Sequence, residues 1–67
     1  MNITMIKNLI YNQLYLAANY DLILSIAPNE TIKRQLHNYS ADCKNNAIFL
    51  DKLYQEFETT SFFKFLI

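Results

Sequence analysis

Apolar residues recur at steps of three and four along two long stretches of the chain. Such spacing places side chains on one side of an α-helix, so it predicts helices rather than strands. The first stretch predicts a helix from about Ile3 to Ile26, and Asn2 or Thr4 can cap its start. Its stripe has one polar member and comprises Ile3, Ile6, Ile10, Gln13, Ala17, Tyr20 and Leu24.

The second stretch predicts a helix from Glu30 to about Glu58. Asn29 is a favourable N-cap, and Glu30 places a negative charge in the first turn, where it suits the helix dipole. The charged residues fall mostly outside the apolar stripe, which is typical of a solvated surface. This second stripe comprises Ile32, Leu36, Tyr39, Cys43, Asn46, Leu50, Leu53 and Phe57.

A single proline separates the two stretches, and the chain contains no glycine. Pro28 lacks a backbone donor and disfavours the helical conformation at Ala27, so residues 27–29 are predicted to form a turn. Without glycine, the tight turns of β-hairpins and phosphate-binding loops are disfavoured. The predicted fold is therefore all-α: one domain, residues 1–67, built as an antiparallel two-helix hairpin.

The composition indicates that one hairpin is not the complete assembly. A chain of 67 residues buries a small fraction of its surface, yet 52% of its residues are hydrophobic. Cys43 is the only cysteine, so no disulfide can form within the chain, and no Cys/His cluster suggests zinc. We therefore expect two copies to dimerise into a four-helix bundle. Cys43 itself is expected to be a small buried apolar residue, with a redox role as the alternative.

The charges are balanced and dispersed. Six basic and six acidic residues cancel, and no basic stripe is present, so nucleic acid is not an expected partner. A membrane span between Asn8 and Asn29 would place several amides and Asp21 in lipid, so no membrane association is expected. The first residues do not resemble a signal peptide, and a cytoplasmic location is expected.

The last nine residues, 59–67, break both patterns. They contain three phenylalanines in four positions, from Phe62 to Phe65, and one charge, Lys64. One interpretation is an apolar extension that packs against the bundle. The other is an anchor that inserts into a partner protein.

An antiparallel hairpin pivoting at Pro28 predicts a register for the two stripes. It sets Ala17 level with Tyr39, Gln13 beside Cys43, and Asn46 one turn further on. Gln13, Cys43 and Asn46 are the stripe members that are neither hydrocarbon nor aromatic. They would form a polar layer, in which Gln13 and Asn46 hydrogen-bond and fix the register of a bundle.

At these positions the chain resembles small bacterial ferritin-like proteins of the rubrerythrin type. The stretch QLYLAANYDLILSIAPNE, from Gln13 to Glu30, is similar to their first helix and turn. The stretch YSADCKNNAIFLDKLYQEF, from Tyr39 to Phe57, is similar to their second helix. The resemblance covers roughly residues 6–58 and implies a helical-bundle fold.

The family's metal ligands are replaced in this chain. Gln13 stands where the resemblance places a ligand Glu, while Cys43 and Asn46 stand where it places the Glu and His of a Glu-x-x-His motif. Neutral amides are weak ligands for iron. The resemblance therefore implies the fold but argues against the di-iron activity. We expect no metal, no cofactor and no catalytic residue.

The sequence thus predicts a non-catalytic structural or protein-interaction module, derived from a ferritin-like hairpin, whose partner is a second copy. The alternative is an inhibitor or adaptor from a mobile element, which binds another protein through its apolar face and tail. A metal-dependent oxidoreductase rebuilt in a dimer would need donors that this chain lacks. The predicted interface comprises Ile6, Ile10, Gln13, Ala17, Tyr20, Leu36, Tyr39, Cys43, Asn46, Leu50, Leu53 and Phe57.

Overall fold

Two α-helices joined by a short turn make up the part of the chain that the structure describes. The structure is a computed structural model that describes the backbone of residues 3–66 and the side chains of residues 3–59. Helix α1 is Ile3–Leu24 and helix α2 is Glu30–Leu66, and no strand occurs between residues 3 and 66. The helices lie against each other as an antiparallel hairpin, which confirms the all-α prediction.

The turn between the helices contains no left-handed residue. Helix α1 ends two residues before its predicted end, and the amides of Ile26 and Ala27 bond to carbonyls three residues back. Such short bonds tighten the last turn of a helix and satisfy carbonyls that would otherwise lack partners. No residue in the described range has a positive φ, so this turn forms without glycine.

Asn29 caps the start of α2, as the sequence predicts. Its Oδ1 accepts a hydrogen bond from the Ile32 amide at 2.9 Å, and its carbonyl accepts from the Lys33 amide at 3.0 Å. Glu30 lies in the first turn and forms an exposed ion pair with Lys33 at 3.5 Å.

Helix α2 is longer than the sequence predicts. It continues past Glu58 to Leu66, so the prediction that the helix ends near Glu58 is wrong. Thr59, Thr60 and Ser61 are modest helix formers, but none of them removes a backbone donor as proline does, so they do not break the helix. Whether the side chains of residues 60–67 pack or stay free lies outside the described residues.

The core between the helices is narrow and made of small residues. Among the described side chains, one large apolar residue is fully buried, Ile6. The others that are buried are Ala17 on α1 and Ser40, Cys43 and Ala47 on α2. Small side chains let two helices approach closely, so this hairpin packs tightly along one line but covers little apolar surface.

The observed register differs from the predicted one by one to three residues. The Ala17 carbonyl meets Ser40 rather than Tyr39, the Tyr20 ring lies against Tyr39, and Gln13 bonds to Asn46. Helix α2 is also rotated relative to the prediction. Its small residues Ser40, Cys43 and Ala47 face α1, and Tyr39 and Asn46 lie to one side of the line of contact between the helices, which we call the seam.

Candidate association face

The predicted interface residues divide into three groups by exposure. Ile6, Ala17 and Cys43 are buried between the helices. Tyr39, Asn46 and Phe57 are exposed on the single hairpin. The remaining ones are half-buried, and they are Ile10, Gln13, Tyr20, Leu36, Leu50 and Leu53.

Sequence reasoning missed Ser40, which is among the most buried residues of the hairpin. It is 1% exposed, and its hydroxyl donates to the Ala17 carbonyl at 3.4 Å. A serine is usually placed on the solvated side of a helix, but a hydrogen-bonded hydroxyl is tolerated in a core. The available signal was spacing by size: Ser40, Cys43 and Ala47 are small and lie one turn apart on one line of α2.

Two amide side chains join the helices near the middle of the hairpin. The Asn46 Nδ2 donates to Gln13 Oε1 at 3.2 Å, which confirms the predicted hydrogen bond. Within one chain this bond is not a buried layer, because Asn46 is exposed and Gln13 is only half-buried. Cys43, the third residue predicted for this layer, is buried in the seam instead.

Mostly apolar residues flank this amide pair along both helices, and Asp42 is a charged residue among them, one turn before Asn46. Positions seven residues apart differ by only about 20° around a helix, so they form a line along it. Gln13 and Tyr20 form such a line on α1, and Tyr39 and Asn46 form one on α2. The contacts Gln13–Asn46 and Tyr20–Tyr39 show that these two lines border the same side of the seam. We call this side the association face, and it comprises Leu9, Gln13, Leu16 and Ile23 of α1 with Ile32, Tyr39, Asn46, Phe49 and Leu53 of α2.

Most of the large apolar side chains of the association face are exposed to solvent. Tyr39 is 50% exposed and Phe49 is 65% exposed, while Leu9 and Leu16 are each 42% exposed. In a four-helix bundle, a helix presents a stripe of this width to two neighbours rather than one. The hairpin supplies one neighbour for each helix, so this face is left uncovered in the single chain.

The opposite side of the seam carries charged groups. Lys44 Nζ lies 3.3 Å from Asp21 Oδ2, and both side chains are about half exposed. The Ser40 hydroxyl, followed by the Lys44 ammonium, holds the pKa of the Asp21 carboxyl below its ordinary value. On this side the helices form an open groove of about 550 Å³, whose lining includes Ile10, Leu14 and Ala47. This side carries charged residues on both helices, whereas on the association face the charge is that of Asp42 on α2.

A third apolar surface lies on the side of α1 that faces away from α2. Tyr15 is 70% exposed, Leu22 is 68% exposed, and Tyr11 and Ile26 belong to the same side. The side chains of this surface lie outside the association face, and Tyr11 borders Asp51 and Tyr54 of α2 at its edge.

The described residues contain no group of three or more His, Cys, Asp or Glu side chains placed to hold a metal ion. Neither helix, over the described range, combines the length and apolar character that crossing a bilayer requires.

A scan against protein-family models gives no match, and searches of curated proteins and of solved structures give no match either. The resemblance to ferritin-like proteins therefore stays a prediction from the sequence.

Proposed function

We propose that this protein is a non-catalytic structural module that pairs with a second copy through the association face. The product is a four-helix bundle of two hairpins. The observation that carries the proposal is the row of exposed leucine, isoleucine, tyrosine and phenylalanine side chains on one side of the hairpin.

The solvent-exposed area of the hairpin supports a partner as large as a second copy. The chain exposes 5397 Å². A compact monomer of 7.9 kDa exposes about 4,400 Å². The excess of about 1,000 Å² per chain is close to the area of about 800 Å² that each partner buries in a standard interface.

The shape of the hairpin leads to the same conclusion. Its extents are 58 × 14 × 14 Å and its radius of gyration is 16.2 Å, whereas a compact domain of 67 residues has a radius of about 11 Å. A rod one helix pair thick has no interior of its own beyond the seam. A second rod laid along the association face supplies one.

The chemistry of the face favours a second copy. An isologous contact brings every residue near the symmetry axis against its own copy, so charges there would repel. The named residues of the association face carry no charge, Asp42 is the carboxylate beside them on α2, and the chain as a whole has a formal net charge of zero. The ion pair Asp21–Lys44 lies on the other side of the seam and stays in solvent.

Replacing Leu16 with lysine tests the proposal. Leu16 lies on the association face, so Leu16→Lys would place a charge in the interface and weaken the dimer by about a hundredfold or more, because an unpaired buried charge costs several kcal/mol. Sedimentation equilibrium measures the dissociation constant, and the wild type is expected at twice the 7.9 kDa chain mass.

Leu22→Lys is the matched control, since Leu22 is on the same helix but on the side away from α2. We expect this variant to keep the wild-type dissociation constant. A wild-type chain that stays monomeric at 100 µM, with the helix content of the structure, would contradict the proposal.

A second candidate function has its own observation. The outer side of α1 keeps Tyr15, Leu22 and Ile26 exposed, with Ile26 at 81%, whether or not the association face is covered. An adaptor or inhibitor that binds a different protein would use this surface. A folded monomer in the sedimentation experiment favours this candidate over the dimer.

A further inference from the structure

The Gln13–Asn46 hydrogen bond leaves other donor and acceptor groups of the two amides unused, and we call these the reserve groups. An amide side chain offers two N–H donors and a carbonyl acceptor, and the bond between the two residues uses one donor of Asn46 and the oxygen of Gln13. Among the described residues, the Gln13 amide nitrogen and the Asn46 amide oxygen have no side-chain partner. The groups in reserve are therefore a donor on α1 and an acceptor on α2.

The reserve donor of one copy matches the reserve acceptor of a second copy that is related to it by a two-fold axis. Both lie on the association face, where Leu9 and Leu16 precede and follow Gln13 by about one turn and Phe49 follows Asn46 by about one turn. An apolar partner covering this point would leave both groups buried without a hydrogen bond, which costs about 1–3 kcal/mol for each. A second copy presents the missing acceptor and donor at the same level.

We propose that Gln13 and Asn46 of two copies close a four-membered ring of amide hydrogen bonds at the centre of the dimer interface. This inference rests on the proposed function and adds the orientation of the partner. In each copy Asn46 donates to Gln13, and Gln13 donates to Asn46 of the second copy. The ring satisfies both reserve groups in both chains.

The ring fixes how the two hairpins are arranged. The reserve donor is on α1 and the reserve acceptor is on α2, so α1 of one copy lies against α2 of the other. A two-fold axis parallel to the helices produces this arrangement and makes all neighbouring helices antiparallel. A two-fold axis across the helices would instead place α1 on α1, with Gln13 facing its own copy.

A closed ring also sets the register and excludes other partners. Sliding one hairpin by a single turn would bury four amides against leucine and tyrosine. A buried amide in an apolar interface is known to fix register and oligomer order at a cost in stability. The pair thus makes the association selective for a second copy in one alignment.

Leucine substitutions at the two positions test the ring through the pattern of dissociation constants. Gln13→Leu and Asn46→Leu each remove one partner and leave the other amide buried, so each single variant is expected to weaken the dimer about tenfold or more. The double variant removes every amide from the ring and is expected to associate at least as tightly as the wild type. Asn45→Leu changes an exposed neighbour off the face and should leave the dissociation constant within about twofold.

The readout separates this inference from the proposed function. Loss of the bond within each hairpin lowers folding stability but does not depend on a second copy, so dissociation constants are compared at concentrations where circular dichroism shows full helix content. A wild-type dimer whose affinity is unchanged or raised in both single variants would overturn the ring alone. A monomeric wild type would overturn the proposed function and the ring together.

Disulfide trapping gives a second test that does not depend on variant stability. In a Cys43→Ala background, one chain carries Gln13→Cys and another carries Asn46→Cys, and the two are mixed and oxidised. The ring predicts that the mixed disulfide between positions 13 and 46 dominates, and that an Asn45→Cys chain gives little of it. Predominance of 13–13 and 46–46 disulfides would overturn the proposed orientation.

Discussion

Ser40 controls how closely the two helices approach. Its side chain is small, almost fully buried, and bonded to the Ala17 carbonyl, and the facing residue Ala17 is 2% exposed. The hydroxyl also lies within hydrogen-bond reach of the Asp21 carboxylate, and its single proton serves one of the two acceptors at a time. One residue thus joins the seam to the charged side of the hairpin.

Substitution of Ser40 tests this role. Ser40→Leu forces a large side chain between two closely packed helices, and we expect it to destabilise the hairpin by about 1–3 kcal/mol or more. Ser40→Ala removes only a long hydrogen bond from a site of the right size, so its expected loss is about 1 kcal/mol or less. Urea unfolding monitored by circular dichroism measures both, and equal losses in the two variants would contradict the packing argument.

The Asp21 carboxylate gives the hairpin an acid-sensitive contribution. Its pKa is lowered in the folded chain by the Ser40 hydroxyl and then by Lys44, so the folded state favours the charged form. This contribution is fully present above the ordinary pKa of 3.8 and is lost as the pH falls through the lower folded value.

We therefore expect Asp21→Asn to lower Tm slightly at pH 7 and to have the same Tm as the wild type near pH 2. The expected difference is small because the carboxylate is solvent-exposed. Thermal melts from pH 2 to pH 7 measure it, with Glu56→Gln, an exposed carboxylate outside this cluster, as the control. A Tm difference that grows below pH 3.8 would have the wrong sign.

The extent to which side-chain positions were predictable differs from residue to residue. The Gln13–Asn46 bond could be predicted from the spacing of the two stripes about one pivot, because Asn46 lies one helical turn from Cys43, the residue predicted to face Gln13. Ser40 did not follow, since a polar residue type says nothing about a hydrogen bond to a carbonyl 23 residues away. The exposure of Tyr39 and Asn46 could not be predicted without knowing how α2 is rotated about its axis. That rotation depends on the packing of the small residues Ser40, Cys43 and Ala47 against α1.

For the helices, strong local sequence signals predict the boundaries correctly and weak signals do not. Pro28 and Asn29 fix the start of α2 within one residue, because a missing donor and an N-cap act through the backbone itself. The end of α2 was misplaced at Glu58, where the sequence has only a change of composition. Side-chain bonds from Gln55 to Asp51 and from Tyr54 to Glu58 support this part of the helix locally.

The longer α2 leaves its final turns without α1 as a neighbour. If Gln13 and Asn46 are level, then Ile3 is level with Glu56, and α2 continues ten residues further to Leu66. At 1.5 Å per residue this extension is about 15 Å long. Short helices on their own are marginal in water, so this segment receives the least stabilisation from packing against α1.

Removing the cap of α2 tests how much the turn contributes. Asn29→Ala deletes the oxygen that accepts from the Ile32 amide, and we expect a loss of about 1 kcal/mol in the free energy of unfolding. Asn38→Ala is the matched control at an exposed position inside α2, where alanine favours the helix slightly. A loss of similar size in both variants, measured by urea unfolding, would show that the cap is not the cause.

For the complete hairpin, association is expected to add stability to a fold that is marginal alone. The hairpin buries one large apolar side chain fully among its described residues, and chains of this size usually need a staple or a partner. The seam holds the helices in register, but the association face contains most of the large apolar groups. A two-fold bundle would convert that face into the main core.

Coupling of folding to association makes the melting temperature depend on concentration. Two chains of 67 residues have an unfolding enthalpy of about 90 kcal/mol, so tenfold dilution is expected to lower Tm by about 5 °C. Melts between 5 and 500 µM measure this slope. Leu22→Lys should keep the slope and Leu16→Lys should abolish it, because only Leu16 lies on the association face. A wild-type Tm that does not change over this range would mean that the hairpin folds alone, and the exposed face would then have to be explained by a different partner.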